Sequence, residues 1–325
     1  MNKILKVTII VISVLILIIA SGLSYLKFAL PDVGPAPEIS VEGTEQQIER
    51  GRYLANHVSV CIDCHSTRDW SKFAGPPIPG TEGRGGELFD QSFGFPGRFV
   101  SKNITPYHLE SWTDGEIYRA ITTGVSKQGT AFFPVMPYKY YGKMDTEDIK
   151  SIIAYVRSLT PLAFDPESSA ADFPVNFIIN TMPAAASPKK IPDPKNVVEY
   201  GAYVANAAGC AECHTKQENG QVVGELFAGG FEFNMGNGYM VSSMNITPHE
   251  TGIGKWTKAA FIQRFKLYTD STYVLPDVDM AKGEFQTVMP WTMYAGMTEQ
   301  DLGAIYEYLQ TIDPVPNTVE RWKKL

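Results

Sequence analysis

Two short stretches of this chain carry chemistry: Cys61-Ile62-Asp63-Cys64-His65 and Cys210-Ala211-Glu212-Cys213-His214, which together use all four cysteines. C-x-x-C-H is the attachment signature of a c-type haem. Two thiols at that spacing can add across the two vinyl groups of one porphyrin, and the histidine that follows is held under the iron as its proximal ligand. Two disulfides, a redox dithiol or a zinc site would also use paired cysteines. None of them requires a histidine directly after both pairs, and Cys64 and Cys210 lie too far apart in sequence for a compact finger. Two covalently bound haem c groups are therefore expected.

The sixth ligand decides between electron transfer and chemistry at an open iron. Eleven methionines are available, and Met136 and Met289 stand out because each lies in a Val-Met-Pro triplet at a matching place. A proline there fixes the backbone and removes a donor, which suits a loop presenting a thioether sulfur. Met144 and Met297 also match and stand just before a helix, where packing onto Ile149 or Leu302 would account for them. Met240 and Met244 have no counterpart in the other copy and read as packing residues. His57, His108 and His249 are the histidines outside the two motifs. His57 reads as solvent-exposed or hydrogen-bonded and the other two as surface residues, while a histidine as sixth ligand stays open.

The elements that must position these groups are written twice. Gly51-Arg52-Tyr53-Leu54-Ala55-Asn56 returns as Gly201-Ala202-Tyr203-Val204-Ala205-Asn206, and Gly86-Glu87-Leu88-Phe89 as Gly224-Glu225-Leu226-Phe227. Asn103-Ile104-Thr105-Pro106 returns as Asn245-Ile246-Thr247-Pro248, and Trp112-Thr113 as Trp256-Thr257. The same order of landmarks around both motifs indicates a duplicated domain. Each copy opens with a helix, the first capped by Thr44 with Gln47 at capping-box spacing. Gly51 and Gly201 cost helix propensity, which points to close packing on that face. Another helix begins at Thr113 or Thr257, with Thr113 and Glu116 as a capping box. Each copy closes with a helix whose apolar residues recur at i, i+3, i+4, i+7: Ile149, Ile152, Ile153 and Val156, then Leu302, Ile305, Tyr306 and Leu309. Asp145 and Thr298 cap these helices, and Pro161 and Pro314 follow their ends.

The boundaries that follow are an N-terminal anchor or signal sequence over 1–27, a first domain over 28–161, a Pro/Ala/Ser-rich connector over 162–196 and a second domain over 197–325. The connector's Phe173-Pro174-Val175-Asn176-Phe177-Ile178-Ile179 is too apolar for a free tether and is expected to pack across the domains. Between Lys6 and Lys27 no residue is charged. As a helix that run spans about 30 Å, the thickness of a bilayer's hydrocarbon core. Lys3 and Lys6 on the short side place the rest of the chain outside the cytoplasm. Ala20, Ser21 and Gly22 could instead form a cleavage site, but the length of the run and its end at Tyr25 and Lys27 favour a retained anchor. The haem domains would then face the periplasm from the inner membrane.

A net charge of −7 over 325 residues is mildly acidic, and no Lys/Arg-rich run offers the footprint that nucleic acid needs. Between Tyr268 and Gln286 the second copy has an insertion holding Asp270, Asp277 and Asp279, which reads as a solvated loop in preference to a docking site.

The order C-x-x-C-H, Asn-Ile-Thr-Pro, Trp, Met-Pro and a capped final helix resembles the class I cytochrome c domains in the cytochrome subunit of membrane-bound alcohol and gluconate dehydrogenases. The run from Asn245 to Trp256 is especially similar. The resemblance covers roughly residues 40–160 and 197–315 and implies an all-α fold of two tandem domains. It implies that Cys61, Cys64, Cys210 and Cys213 attach the haems, that His65 and His214 lie proximal, and that Met136 and Met289 lie distal. It also implies glycine-to-aromatic contacts of Gly51 with Tyr155 and Gly201 with Tyr308. Those subunits carry three haems, whereas this chain has two C-x-x-C-H motifs.

The expected function is therefore electron transfer by a membrane-anchored dihaem cytochrome. Its partners would be a dehydrogenase or respiratory donor and a downstream acceptor, with no small-molecule substrate and no catalysis of its own. A dihaem peroxidase is the main rival, and it needs one iron with a displaceable distal ligand. The matching Met136 and Met289 argue against it. A haem-based sensor is a third reading, which would require a signalling output domain or a long cytoplasmic segment.

Overall fold

The computed structural model describes residues 2–325. It begins with α1 (Lys3–Phe28), a helix with no buried residue and a mean hydropathy of 2.8 over its most apolar 18-residue window, long and apolar enough to cross a membrane. An extended stretch leads to α2 (Glu45–Tyr53). Thr44 Oγ1 accepts from Gln47 N at 3.2 Å, but the Gln47 side chain accepts from Gly43 N and not from Thr44 N, so the reciprocal bond of the expected box falls one residue early. Helix α2 runs into a π-turn over Leu54–Val58 and then α3 (Cys61–Cys64). There follow β1 (Leu88–Phe89), β2 (Gly97–Val100), α4 (Pro106–Leu109) and α5 (Asp114–Thr123), then α6 (Tyr138–Tyr141) and α7 (Thr146–Ser158). Thr113 and Glu116 make both bonds of their capping box, and Asp145 Oδ1 caps α7 by accepting from Glu147 N.

The connector contributes β3 (Ala170–Ala171) and α8 (Val175–Ile178). The second half repeats the helical order: α9 (Val197–Ala207), α10 (Cys210–His214), α11 (Lys258–Lys266), α12 (Trp291–Tyr294) and α13 (Glu299–Leu309). Its strands are β4 (Gln217–Glu218), β5 (Gln221–Val222), β6 (Glu232–Asn234), β7 (Tyr239–Ser242) and β8 (Trp322–Lys324).

The expectation of an all-α chain holds for the core and fails at its rim. Three small antiparallel sheets, β1-β2-β3, β4-β5 and β6-β7-β8, flank the helices. Their outer pairings join distant residues, Gly97 with Ala171 and Met240 with Lys323. Strands of two to four residues carry no alternation long enough to read.

The core is built from two helix pairs, α2 on α7 and α9 on α13. Gly51 makes the first pair possible, because a Cβ there would lie 1.8 Å from Ser151 O and 2.9 Å from Tyr155 Cβ. Gly201 does the same in the second, at 1.9 Å from Ala304 O and 3.0 Å from Tyr308 Cβ. The glycine-to-aromatic contacts implied by the resemblance are present in both halves.

The two pairs are cross-braced. Tyr203 of α9 donates to Asp148 of α7 at 2.7 Å, and Tyr53 of α2 donates to Asp301 of α13. Arg50 adds a two-pronged contact to Asp148, 2.9 Å on each arm, while its positional counterpart Tyr200 donates to Asp301 at 2.8 Å. Both aspartates are buried. A charged group and three phenols therefore satisfy carboxylates that could not remain unpaired in the interior.

Two further expectations need correction. The insertion with Asp270, Asp277 and Asp279 is not a free solvated loop. Val278 N donates to Ser71 O, Phe73 N donates to Pro276 O, and Asp277 pairs with Lys72. The fully buried Gln286 accepts from Ala74 N and donates to Trp70 O and Lys72 O. These bonds stitch the insertion onto the first half. The apolar connector segment does not lie across the domains either. It packs on the end of α1, while β3 pairs with β2, and the stretch after it is bonded to Gly142 and Lys143.

Candidate haem-attachment sites

Each C-x-x-C-H motif sits on one short helical turn entered through a left-handed residue, Val60 (φ 43°) before α3 and Gly209 (φ 64°) before α10. The chain that leads in differs by one residue, since Cys61 follows Gly51 by ten positions and Cys210 follows Gly201 by nine. The π-turn Leu54–Val58 absorbs the extra residue, which is how such turns arise within a helix. His57 lies in it and sets Nδ1 3.0 Å from Met293 O of the second half, so its role is a hydrogen bond between halves. Gly296 makes room for that ring, as a Cβ there would fall 2.1 Å from His57 Nδ1.

The histidines that close the motifs share one geometry. His65 Nδ1 lies 2.7 Å from Lys102 O, and His214 Nδ1 lies 2.7 Å from Met244 O. A carbonyl can only accept, so Nδ1 carries the proton and Nε2 is left as a lone-pair donor. Burial lowers the pKa of both rings, which keeps them neutral as a ligand must be. Burial pushes all four thiols up to about 12, so they are protonated at neutral pH.

The two carbonyls are held by the residues that follow them. Asn103 Oδ1 accepts from Thr105 N and Oγ1 at 2.9 and 2.7 Å, and its Nδ2 donates to Leu162 O and Phe164 O at 2.8 Å. Asn245 repeats this with Thr247, at 2.9 and 2.8 Å, and with Val315 O at 2.8 Å. Asn-Ile-Thr-Pro is thus an Asx turn that ties the histidine-orienting loop to the chain leaving the closing helix. On the other side Gly85 N donates to His65 O and Gly229 N donates to His214 O. Both glycines have positive φ, and a Cβ on either would lie 2.5 Å from the supporting loop's backbone.

These bonds revise the repeat. Gly85-Gly86 and Gly229-Gly230 are the structural counterparts, and the match of Gly86-Glu87-Leu88-Phe89 to Gly224-Glu225-Leu226-Phe227 is a coincidence of letters. Phe227, at φ 61°, occupies the place of Gly83, at φ 81°: each offers its carbonyl to the isoleucine of Asn-Ile-Thr-Pro. The sequence marks Asn103 and Asn245 only as landmarks, although an Asn two residues before Thr is itself a turn signal. Asn103→Ala is expected to cost about 2–4 kcal/mol, because Thr105 and two carbonyls lose a buried partner. A denaturation midpoint unmoved from wild type would contradict this.

Met136 and Met289 occupy identical loops. Pro137 (φ −80°, ψ 51°) and Pro290 (φ −79°, ψ 64°) have inverse γ-turn dihedrals, closed by Tyr138 N to Met136 O and Trp291 N to Met289 O, each 2.8 Å. Both methionines keep partial exposure at the edge of the core. The short helices that follow return to the attachment turns, Tyr141 OH donating to Ser59 O at 2.7 Å and Tyr294 OH to Ala208 O at 2.5 Å. Each of these carbonyls stands two residues before its first cysteine. The methionine loop and the attachment turn of each half are therefore bonded into one unit. Met144 and Met297 are sealed in the core, with Met144 Sδ accepting from Ser59 Oγ at 3.7 Å. His249 Nδ1 bonds Thr251 locally.

Neutral imidazoles with Nε2 free, protonated paired thiols and mirrored thioether loops define a chain suited to covalent haem. Residues 198–313 match the cytochrome c family, so the second half carries a cytochrome c domain. The chain is also 26% identical over 289 residues to the cytochrome c subunit of a quinone alcohol dehydrogenase from Gluconacetobacter polyoxogenes, covering 83% of this chain and 56% of that protein. It is 24% identical over 314 residues to the gluconate 2-dehydrogenase cytochrome c subunit of Pantoea cypripedii, covering 89% and 65%. A dihaem cytochrome of Cereibacter sphaeroides is 26% identical over 311 residues, covering 93% of this chain and 97% of that one. The chain spans little more than half the length of the alcohol dehydrogenase subunit.

Proposed function

We propose that this protein is a dihaem electron carrier, with one haem c on Cys61 and Cys64 and a second on Cys210 and Cys213. The observation that carries this reading is the paired geometry of His65 and His214, each with Nδ1 fixed 2.7 Å from a backbone carbonyl. Bound haem would supply a one-electron iron couple. The chain's part is to hold each imidazole in the tautomer that offers Nε2, to present Met136 and Met289 as distal thioethers, and to keep water away through the surrounding core. His/Met ligation raises the potential. The domain limits 28–161 and 197–325, joined by 162–196, follow from this reading.

With α1 as a single membrane anchor, the haem-bearing halves face the periplasm. The named relatives point to a dehydrogenase as the donor and a respiratory component as the acceptor, so the chain itself catalyses no reaction on a substrate. Replacing Met136 or Met289 by alanine tests the ligand set directly. Each single variant is expected to turn one of the two irons high-spin and to lower its potential, leaving the other unchanged. Wild-type protein with one high-spin iron at rest, or with fewer than two covalently bound haems by mass, would end the reading.

A further inference from the structure

We propose that the segment Phe173–Ile179 is a second membrane contact, lying among the lipid headgroups beside the emerging end of α1. The proposal rests on α1 spanning the bilayer. Between Asp172 and Lys189 the chain carries no charge, yet it turns large apolar side chains outward: Phe173 is 81% exposed and Ile178 42%. Phe177 packs edge-on against Phe173 at 6.2 Å. An outward-facing apolar cluster on a short ordered segment marks a surface that something covers.

What covers it follows from where it is fixed. Asn180 Nδ2 donates at 3.0 Å to Leu26 O, one of the carbonyls that the end of α1 leaves without a helical partner. Helix α8 and the turn Ile179–Thr181 pack on that same end. A helix of 26 residues is about 39 Å long against a hydrocarbon core of about 30 Å, so its last turn emerges at the interface. A segment bonded to Leu26 is carried to that depth. Tyr25 and Phe28, 61% and 83% exposed, flank it, and Lys27, Asn176 and Asn180 line a cleft of about 220 Å³ there. Aromatic rings beside lysine and amides are what the headgroup layer accommodates.

The contact also has a mechanical use. One spanning helix leaves the exported body free to swivel, whereas two contacts fix which face lies toward the bilayer. The segment can transmit this because β3 pairs with β2 and Asp172 N donates to Pro96 O, joining it to the first half.

The test uses the full holoprotein in phosphatidylethanolamine/phosphatidylglycerol vesicles, with photoreactive benzoylphenylalanine replacing Phe173, Leu15 of α1 or Val222 in turn. Val222 is 65% exposed on β5 and serves as the control. Lipid adducts are expected at 15 and 173, with about tenfold less at 222, the order of discrimination that burying one apolar ring provides. Adducts at 15 alone would overturn the proposal and leave α1 as the anchor. Adducts at neither position would overturn both. Adducts at 173 alone would remove the spanning helix and so overturn the proposal, which places the segment at that helix's emerging end. Equal capture at 222, or protein adducts in place of lipid at 173, would overturn the proposal.

Discussion

Gly51→Ala is expected to destabilise the protein by about 3 kcal/mol or more, at or above the upper end of ordinary overpacking. The added carbon would stand 1.8 Å from Ser151 O, and a backbone carbonyl inside α7 cannot swing aside as a side chain would. The two helices must separate, and with them go the contacts of Ile152 and Tyr155. Gly201→Ala meets Ala304 O at 1.9 Å and should behave alike. Gly22→Ala provides the control, since nothing lies within 4 Å of its new carbon. Chemical denaturation of the three variants decides the matter. Wild-type midpoints for Gly51→Ala and Gly201→Ala would mean that the helix pairs are not in contact.

Asp148→Ala is the second large effect, expected at about 3 kcal/mol. It strands the Arg50 guanidinium and the Tyr203 hydroxyl, which both lie on Asp148. Arg50 retains about a third of its side-chain exposure, so water recovers part of the loss and the figure sits at the low end of the range for a broken buried pair. Asp301→Ala strands two phenols and no charge, and about 2 kcal/mol is expected. Because the bond from Tyr203 to Asp148 joins the halves, denaturation of Asp148→Ala should resolve into two steps where the wild type shows one. A single unshifted transition would show that the cross-brace contributes nothing to their coupling.

Short-range chemistry could be read from the letters. The caps at Thr113 and Asp145, the closing helices, the close approach at Gly51 and the proline after Met136 each rest on a signal a few residues long, and the structure holds all of them. The supports of the histidines could not be read, because a backbone carbonyl has no letter: Lys102 and Met244 share nothing but their place before Asn-Ile-Thr-Pro. The acidic insertion misled for a related reason. Its aspartates advertise solvent, whereas its attachment runs through backbone groups of Pro276 and Val278 and through one buried glutamine. The strands escaped because they are two to four residues long, and because the outer pairings, β2 with β3 and β7 with β8, join residues some seventy or more positions apart.

The cross-brace bears on the order in which the molecule is made. Tyr53 must wait for Asp301, 248 positions further on, before its hydroxyl finds its acceptor. A ribosome working from the amino terminus therefore releases α2 long before the helix that accepts its hydrogen bond exists. Contacts so distant in sequence slow assembly, and here the delay leaves the first helix pair without its cross-brace until the last helix arrives.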